Sequence, residues 1–367
     1  MRVLFVCSGS FRTGQTGDAT QGRETINALR ANGHDVVVAF VSYCPLAFTS
    51  EAGESLDLDA MIRIVKAADV VHLLPVNPTL CSYFRNLPHK PTLGSSIFWG
   101  GLERVSIAWK MAPTVKAKVH DALREMKPMV GFRMDYRGVD VFLPNSRAEG
   151  ECVMRYFKTS PNAYYMPVPN GFVVPARERI DSLGRSNRVP PEDYIVVPGV
   201  FARRKNQLSL IRALKDSPYH VVFVGDDLRS APGFMARCKI EANERMSFLG
   251  FIPNSSDEYW AILKYARCAC LASDCETPGI AMIEAAYAGA RPVITRYGGT
   301  AEYYGFDAEY LDPNDIASIR SAVDRAWLRG RLLRNEAEAY SRYSWKYCAN
   351  LTIQAYNMAL KKVGKGL

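Results

Sequence analysis

Glu276-Thr-Pro-Gly-Ile-Ala-Met-Ile-Glu284 sets two carboxylates at the ends of a stretch with seven residues between them. A Pro-Gly turn follows the first, and an apolar helical run leads to the second. Before it lies the strand-like Cys268-Ala-Cys-Leu-Ala-Ser273; after it, Gly289-Ala-Arg-Pro-Val-Ile294 reads as helix stop and next strand. One carboxylate therefore stands at the exit of a strand, and the other rides about two turns into the following helix. Between them the first helical amides lack intrahelical partners and face whatever occupies the adjoining crevice. That geometry suits a neutral or anionic ligand rich in hydroxyls, such as a sugar joined to a diphosphate. An ordinary strand-turn-helix with two surface glutamates has the same pattern, so the surroundings must decide.

Working outward, short apolar strands recur at residues 194–198, 220–225, 246–250, 267–272 and 292–295, each followed by a helical pattern. The first half alternates in the same way, with strands at 2–7, 69–74 and 139–143, a weaker one at 91–98, and a helix cap, turn and second strand over 33–40. Strands separated by helices imply parallel sheets covered on both faces. The pattern restarts after Pro167-Val-Pro-Asn-Gly171, which predicts an α/β chain of two Rossmann-like domains, 1–170 and 171–340, joined near Asn170-Gly171. A helical tail, 341–367, is expected to pack back on the first domain. In such folds ligands collect at the carboxyl ends of the strands. The loops 8–20, 199–206, 225–227 and 274–279 all follow predicted strands, so they are expected to share one site in a cleft between the domains.

The chain has 367 residues, 48% hydrophobic and 23% charged, ordinary values for a globular protein. Met1-Arg-Val-Leu-Phe-Val6 is too short an apolar run for a signal peptide and reads as a buried strand. No stretch is long enough to span a membrane. The 9 cysteines are scattered and lack metal-ligand spacing, which points to reduced thiols in the cytoplasm. The net charge of +9, from 46 Lys+Arg against 37 Asp+Glu, fits an anionic partner without choosing one. Basic residues are densest over 104–137, where apolar residues recur at near-helical spacing. Such a surface suits an acidic membrane, and equally a solvated helix face over a core. A nucleic-acid role has only the charge behind it.

Gly199-Val-Phe-Ala-Arg-Arg-Lys-Asn206 joins a strand to a helix. Cations at a helix N-terminus are disfavoured by its dipole unless an anion is also there. Arg203, Arg204 and above all Lys205 are therefore candidates for binding a diphosphate. Thr13-Gly14-Gln-Thr-Gly17 opens the first helix with glycines that permit close backbone approach, but it has neither a dinucleotide nor a P-loop pattern. Of the histidines, His34 and His220 read as structural, and His72 is the one with a possible role in chemistry.

The assembled pattern resembles a retaining glycosyltransferase of the GT-B fold, of the large GT4-type family (glycosyl transferases group 1). The resemblance runs nearly end to end. It rests on Gly33-His-Asp-Val36, Gly17, Pro169-Asn-Gly171, Lys205-Asn206, Phe248-Leu-Gly-Phe-Ile-Pro253, Glu276 with Glu284, Gly298-Gly-Thr-Ala-Glu302 and Tyr343-Ser-Trp345. It implies an acceptor-side first domain and a donor-binding second one. Glu284 would bind ribose hydroxyls, and Glu276 would contact the transferred sugar. The amides of Gly279, Ile280 and Ala281 would bind donor oxygens, and the loop holding Ile252 would face the base. Lys205, helped by Arg203 or Arg204, would neutralise the departing nucleoside diphosphate, with Gly17 closing over it. The donor would be a UDP- or GDP-sugar, the acceptor a hydroxyl of a glycan or glycolipid, and no metal cofactor would be needed. Two departures stand out. Val200 occupies a position usually held by arginine, and Gly94-Ser-Ser-Ile-Phe98 lacks the histidine common on the acceptor side. Trp99, Trp109 and Tyr136 are candidates for stacking on a sugar acceptor. Two other readings fit the pattern: a nucleotide-sugar epimerase of the same fold, for which five histidines make a poor acid/base set, and a catalytically weak sugar-nucleotide-binding protein.

Overall fold

A computed structural model describes residues 1–12, 17–97, 134–228 and 232–364. The loop 13–16, Trp99, Trp109 and the basic stretch up to residue 133 lie outside the described residues. The described residues divide into two compact units, the second covering Phe172–Arg342 and the first holding the described residues up to Gly171 together with the tail from Tyr343.

The first unit is built on β1 (Arg2–Ser8), β2 (Asp35–Tyr43), β3 (Leu46–Ser50), β4 (Ser55–Leu56), β5 (Val70–Leu74), β6 (Thr92–Ser95), β7 (Met134–Asp135), β8 (Val141–Leu143), β9 (Phe157–Lys158) and β10 (Tyr164–Tyr165). Eight of these form one sheet in the order β10-β8-β6-β5-β1-β2-β3-β4, while β7 pairs with β9. The strands from β10 to β2 run parallel, but β3 and β4 extend the edge antiparallel. The alternation of strands and helices did not predict that hairpin edge, because β3 and β4 have no helix between them.

The tail forms the helix Trp345–Gly364, and it is tied into the first unit by a buried polar contact. His72 lies inside β5. Its Nδ1 is 2.6 Å from the Tyr356 hydroxyl and its Nε2 2.8 Å from Ser95 Oγ. Burial pushes the imidazole down to about 3, so it is neutral and structural. Where the chain enters and leaves this unit, Gly171 lies against the backbone of Tyr343 to Trp345. A Cβ there would meet Trp345 N at 2.9 Å, which accounts for a glycine after Asn170.

The second unit contains β11 (Tyr194–Pro198), β12 (His220–Val224), β13 (Met246–Phe248), β14 (Cys268–Leu271), β15 (Arg291–Thr295) and β16 (Glu309–Leu311). The sheet order is β13-β12-β11-β14-β15-β16, with every pair parallel. Alternate residues Ile195, Val197, Val221, Phe223, Cys268 and Cys270 pack with Leu210, Ile211, Leu214, Ile319 and Val323 of two helices, Gln207–Leu214 and Ile316–Arg329. The intervening Val196, Val222 and Ala269 are buried as well. Burial on both faces is why these strands read as continuous apolar runs. All nine cysteines are free thiols, and burial pushes Cys268 up to about 12.

Candidate active site

In chain order the second sheet runs third, second, first, fourth, fifth, sixth, so its direction of winding reverses between β11 and β14. Ligands of open parallel sheets bind at that reversal, beyond the carboxyl ends of the two strands. The segments leaving β11 and β14 are those of Lys205 and Glu276.

Beyond β11 the chain passes Gly199 to Ala202 and makes a tight turn, Arg203–Lys205, before the helix Gln207–Leu214. Asn206 between them takes a left-handed conformation, φ 57°, which asparagine tolerates better than most residues. Its amide donates to Pro313 O at 2.8 Å, and its side-chain oxygen accepts from Ser209 Oγ at 2.7 Å. The two loops are joined by the Asp274 amide, which donates to Arg204 O at 2.8 Å. Lys205 Nζ then reaches Glu276 Oε1 at 2.5 Å, with side chains 11% and 6% exposed. Burial alone would raise the Glu276 carboxyl, but Lys205 and Arg204 together outweigh it and hold it below its ordinary value. Burial lowers the Lys205 ammonium, and Glu276 offsets part of that.

Glu276 is fixed from both sides of its peptide. Its amide donates to Tyr297 O at 3.2 Å and its carbonyl accepts from Gly299 N at 3.0 Å. Any Cβ on Gly298 would fall 2.0 Å from that carbonyl oxygen, so only glycine fits, at φ +106°. This gives the Gly-Gly pair ahead of Glu302 a physical reason. A cis Thr277–Pro278 bond and Gly279 then start the helix Ile280–Tyr287, which has no side-chain cap. Tyr304 anchors the turn, its hydroxyl donating to Pro278 O at 3.0 Å. The amides of Ile280 and Ala281 have no acceptor one turn back. They stand beside a loop carrying Arg204 and Lys205, and free helix-start amides with nearby cations suit an anion.

Glu284 is buried on the same helix. Its Oε1 accepts from Asn254 Nδ2 at 3.1 Å and its Oε2 from the Tyr259 hydroxyl at 2.6 Å. Burial raises its carboxyl, and these two donors pull part of that back. Ile252 is buried in the loop between β13 and Asn254, next to the half-exposed Phe251.

Lys205, Arg204, Glu276, Gly279, Ile280, Ala281 and Glu284 thus gather along one edge of one sheet. Arg203 is exposed in the same turn and is not among the charges acting on Glu276. Gly17 is the first residue of the helix Gly17–Ala31 and belongs to the first unit. Val200 contributes its carbonyl, which accepts from Gln207 Nε2 at 2.9 Å. On the other sheet, Ser96 Oγ donates to the fully buried Glu149 at 2.9 Å. Tyr136 is no stacking platform for a sugar: it is buried, its ring stacked on Phe157 at 3.7 Å. Sequence reasoning missed Tyr259, Asn254 and Tyr304. Their roles depend on packing between elements, which periodicity does not encode. Among the described residues no cluster of histidine, cysteine and carboxylates has the makings of a metal site, and no helix is long and apolar enough to cross a membrane.

Comparison with known proteins agrees with this geometry. Residues 180–344 match the family model for glycosyl transferases group 1. An uncharacterized glycosyltransferase of Methanocaldococcus jannaschii is 28% identical over 134 residues, which span 35% of this chain and only 34% of that relative. Among solved structures, a sucrose-phosphate synthase from Thermosynechococcus elongatus superposes with a TM-score of 0.70 at 17% identity, covering 99% of this chain and 100% of the other. HepE of Anabaena, solved with UDP and glucose, has a TM-score of 0.62 at 13% identity, covering 97% and 99%. The lipopolysaccharide outer core galactosyltransferase WaaB has 0.61 at 13% identity, with the same coverage. Residues 180–344 are therefore similar to glycosyl transferases group 1, and the chain that carries them has the GT-B fold of these solved glycosyltransferases.

Proposed function

We propose that this protein transfers a hexose-type sugar, with retention of configuration, from a UDP- or GDP-sugar to a hydroxyl of a glycan or glycolipid acceptor. The observation that carries the reading is the buried Lys205–Glu276 pair at the reversal point of the second sheet, beside an uncapped helix start. The diphosphate lies against the amides of Ile280 and Ala281, and Lys205 and Arg204 neutralise the charge that grows as the sugar departs. Stabilising that leaving group is the principal electrostatic task of sugar transfer. Glu276 holds the ammonium of Lys205 in place and accepts hydrogen bonds from the sugar. Glu284 accepts from the ribose diol, and the loop around Ile252 receives the base. The acceptor hydroxyl oxygen bonds to the anomeric carbon on the face the diphosphate leaves, as the bond from that carbon to the diphosphate oxygen breaks and the hydroxyl proton passes to the departing oxygen. The cations come from the chain itself, so the reaction needs no metal. HepE, which shares the fold, was solved with UDP and with UDP-glucose, which favours UDP as the first donor to try.

Incubation with a panel of UDP- and GDP-sugars and a mixture of glycan and glycolipid acceptors, with products resolved by NMR, tests the proposal. The expected product keeps the anomeric configuration of the donor. Absence of both transfer and donor hydrolysis across the panel would overturn the proposal. Conversion of the donor sugar without acceptor would replace it with an epimerase.

A further inference from the structure

Tyr259 and Asn254 have no part in the chemistry above, yet both are spent on one carboxylate. Tyr259 belongs to the helix Asp257–Tyr265, which Ser256 caps through the Tyr259 amide at 3.2 Å. Asn254 precedes that cap, and its backbone carbonyl accepts from Trp260 Nε1 at 2.8 Å. Loop and helix start are therefore locked together, and their two donors arrive at Glu284 from fixed positions, one on each oxygen. Tyr259 is 5% exposed and Glu284 3%, so neither side chain has solvent as an alternative partner.

A carboxylate offers about four acceptor positions, two on each oxygen. Tyr259 and Asn254 occupy one on each and leave one on each, the number a vicinal diol requires. The two donors also favour the ionised form of a carboxyl that burial raises, offsetting part of that rise. We propose that Tyr259 and Asn254 are positioning residues that hold Glu284 in the two-point acceptor geometry by which the protein selects a ribose over a deoxygenated sugar in its nucleotide. This assignment rests on the proposed nucleotide-sugar reading of the site, and it goes beyond that reading by naming the groups that set nucleoside selectivity.

Calorimetric titration of the full-length protein with UDP and with 2′,3′-dideoxy-UDP, repeated for Tyr259→Phe and Asn254→Ala, tests it, with GDP and its dideoxy counterpart as the second pair. In the wild type the ribonucleotide binds about tenfold or more tightly than the dideoxy form, as expected for hydrogen bonds to a charged acceptor. Tyr259→Phe weakens UDP by about tenfold and leaves dideoxy-UDP nearly unchanged, so the preference collapses toward one. Asn254→Ala moves it in the same direction by a smaller factor. A merely structural role would weaken both nucleotides together. Equal losses for the two ligands in both variants, or a preference unchanged in both, overturns the assignment while leaving nucleotide binding intact. Binding of none of the four nucleotides by the wild type overturns the nucleotide reading itself, and this assignment with it.

Discussion

Lys205 and Glu276 are 71 positions apart in sequence and 2.5 Å apart in the fold. Truncating one partner of a buried ion pair leaves the other uncompensated, at a cost of about 3–5 kcal/mol. Lys205→Ala is therefore expected to lose stability toward the low end of that range, because Arg204 still screens Glu276. The double variant Lys205→Met/Glu276→Leu should recover most of the loss, and urea denaturation of the two checks this. Gly298→Ala should cost at least about 2 kcal/mol and disable turnover together, since the added methyl displaces the Glu276 carbonyl. A destabilised but fully active Gly298→Ala protein would contradict the role given to that turn. At this scale the sequence singled out Lys205, Arg204, Glu276, Gly279 and Glu284, which the fold gathers along one edge, because their chemistry is unusual for their positions. It disclosed nothing of Tyr259, whose phenol is indistinguishable from a core aromatic until Glu284 is placed against it.

Elements were legible where a buried strand is several apolar residues long, as in β1, β5, β11, β12 and β14. β3, β4, β7 and β16 were illegible, being two or three residues long or meeting a neighbour without a helix between, whereas the equally short β8 and β13 sit in longer apolar runs that were read as strands. The terminal helix was expected to return to the first domain; what the sequence withheld was its anchor. His72, Ser95 and Tyr356 join β5, β6 and that helix in one buried chain. In the unfolded chain the imidazole takes a proton below about pH 6.5. In the folded protein burial delays that to about pH 3. The unfolded state thus binds the extra proton, and stability falls by about 1.4 kcal/mol for each pH unit descended between these values, with no penalty above about pH 6.5. His72→Leu should be less stable at pH 7.5 by about 2–3 kcal/mol, through the partners it strands. It should also show a flatter decline from pH 6.5 to 4. Denaturant curves at several pH values check both, and parallel declines for wild type and variant would mean that His72 titrates freely.

For the whole molecule, the division into two units and the family match lead to one conclusion. The matched residues fall almost wholly inside the second unit, where the reversal of the sheet gathers the charged loops. Sheet order is a long-range property that no local pattern contains. The sequence therefore supplied loops that follow strands, and the topology of the second sheet supplied the reason 199–206 and 274–279 converge. What most directly tests the central claim is release of nucleoside diphosphate from UDP- and GDP-sugars by the wild type and by Lys205→Ala, measured side by side under saturating donor. Electrostatic stabilisation of the leaving group predicts measurable release from at least one donor, and a fall of about 100-fold or more in kcat without the lysine. Equal rates for the two proteins, or no release from any donor by the wild type, would contradict it.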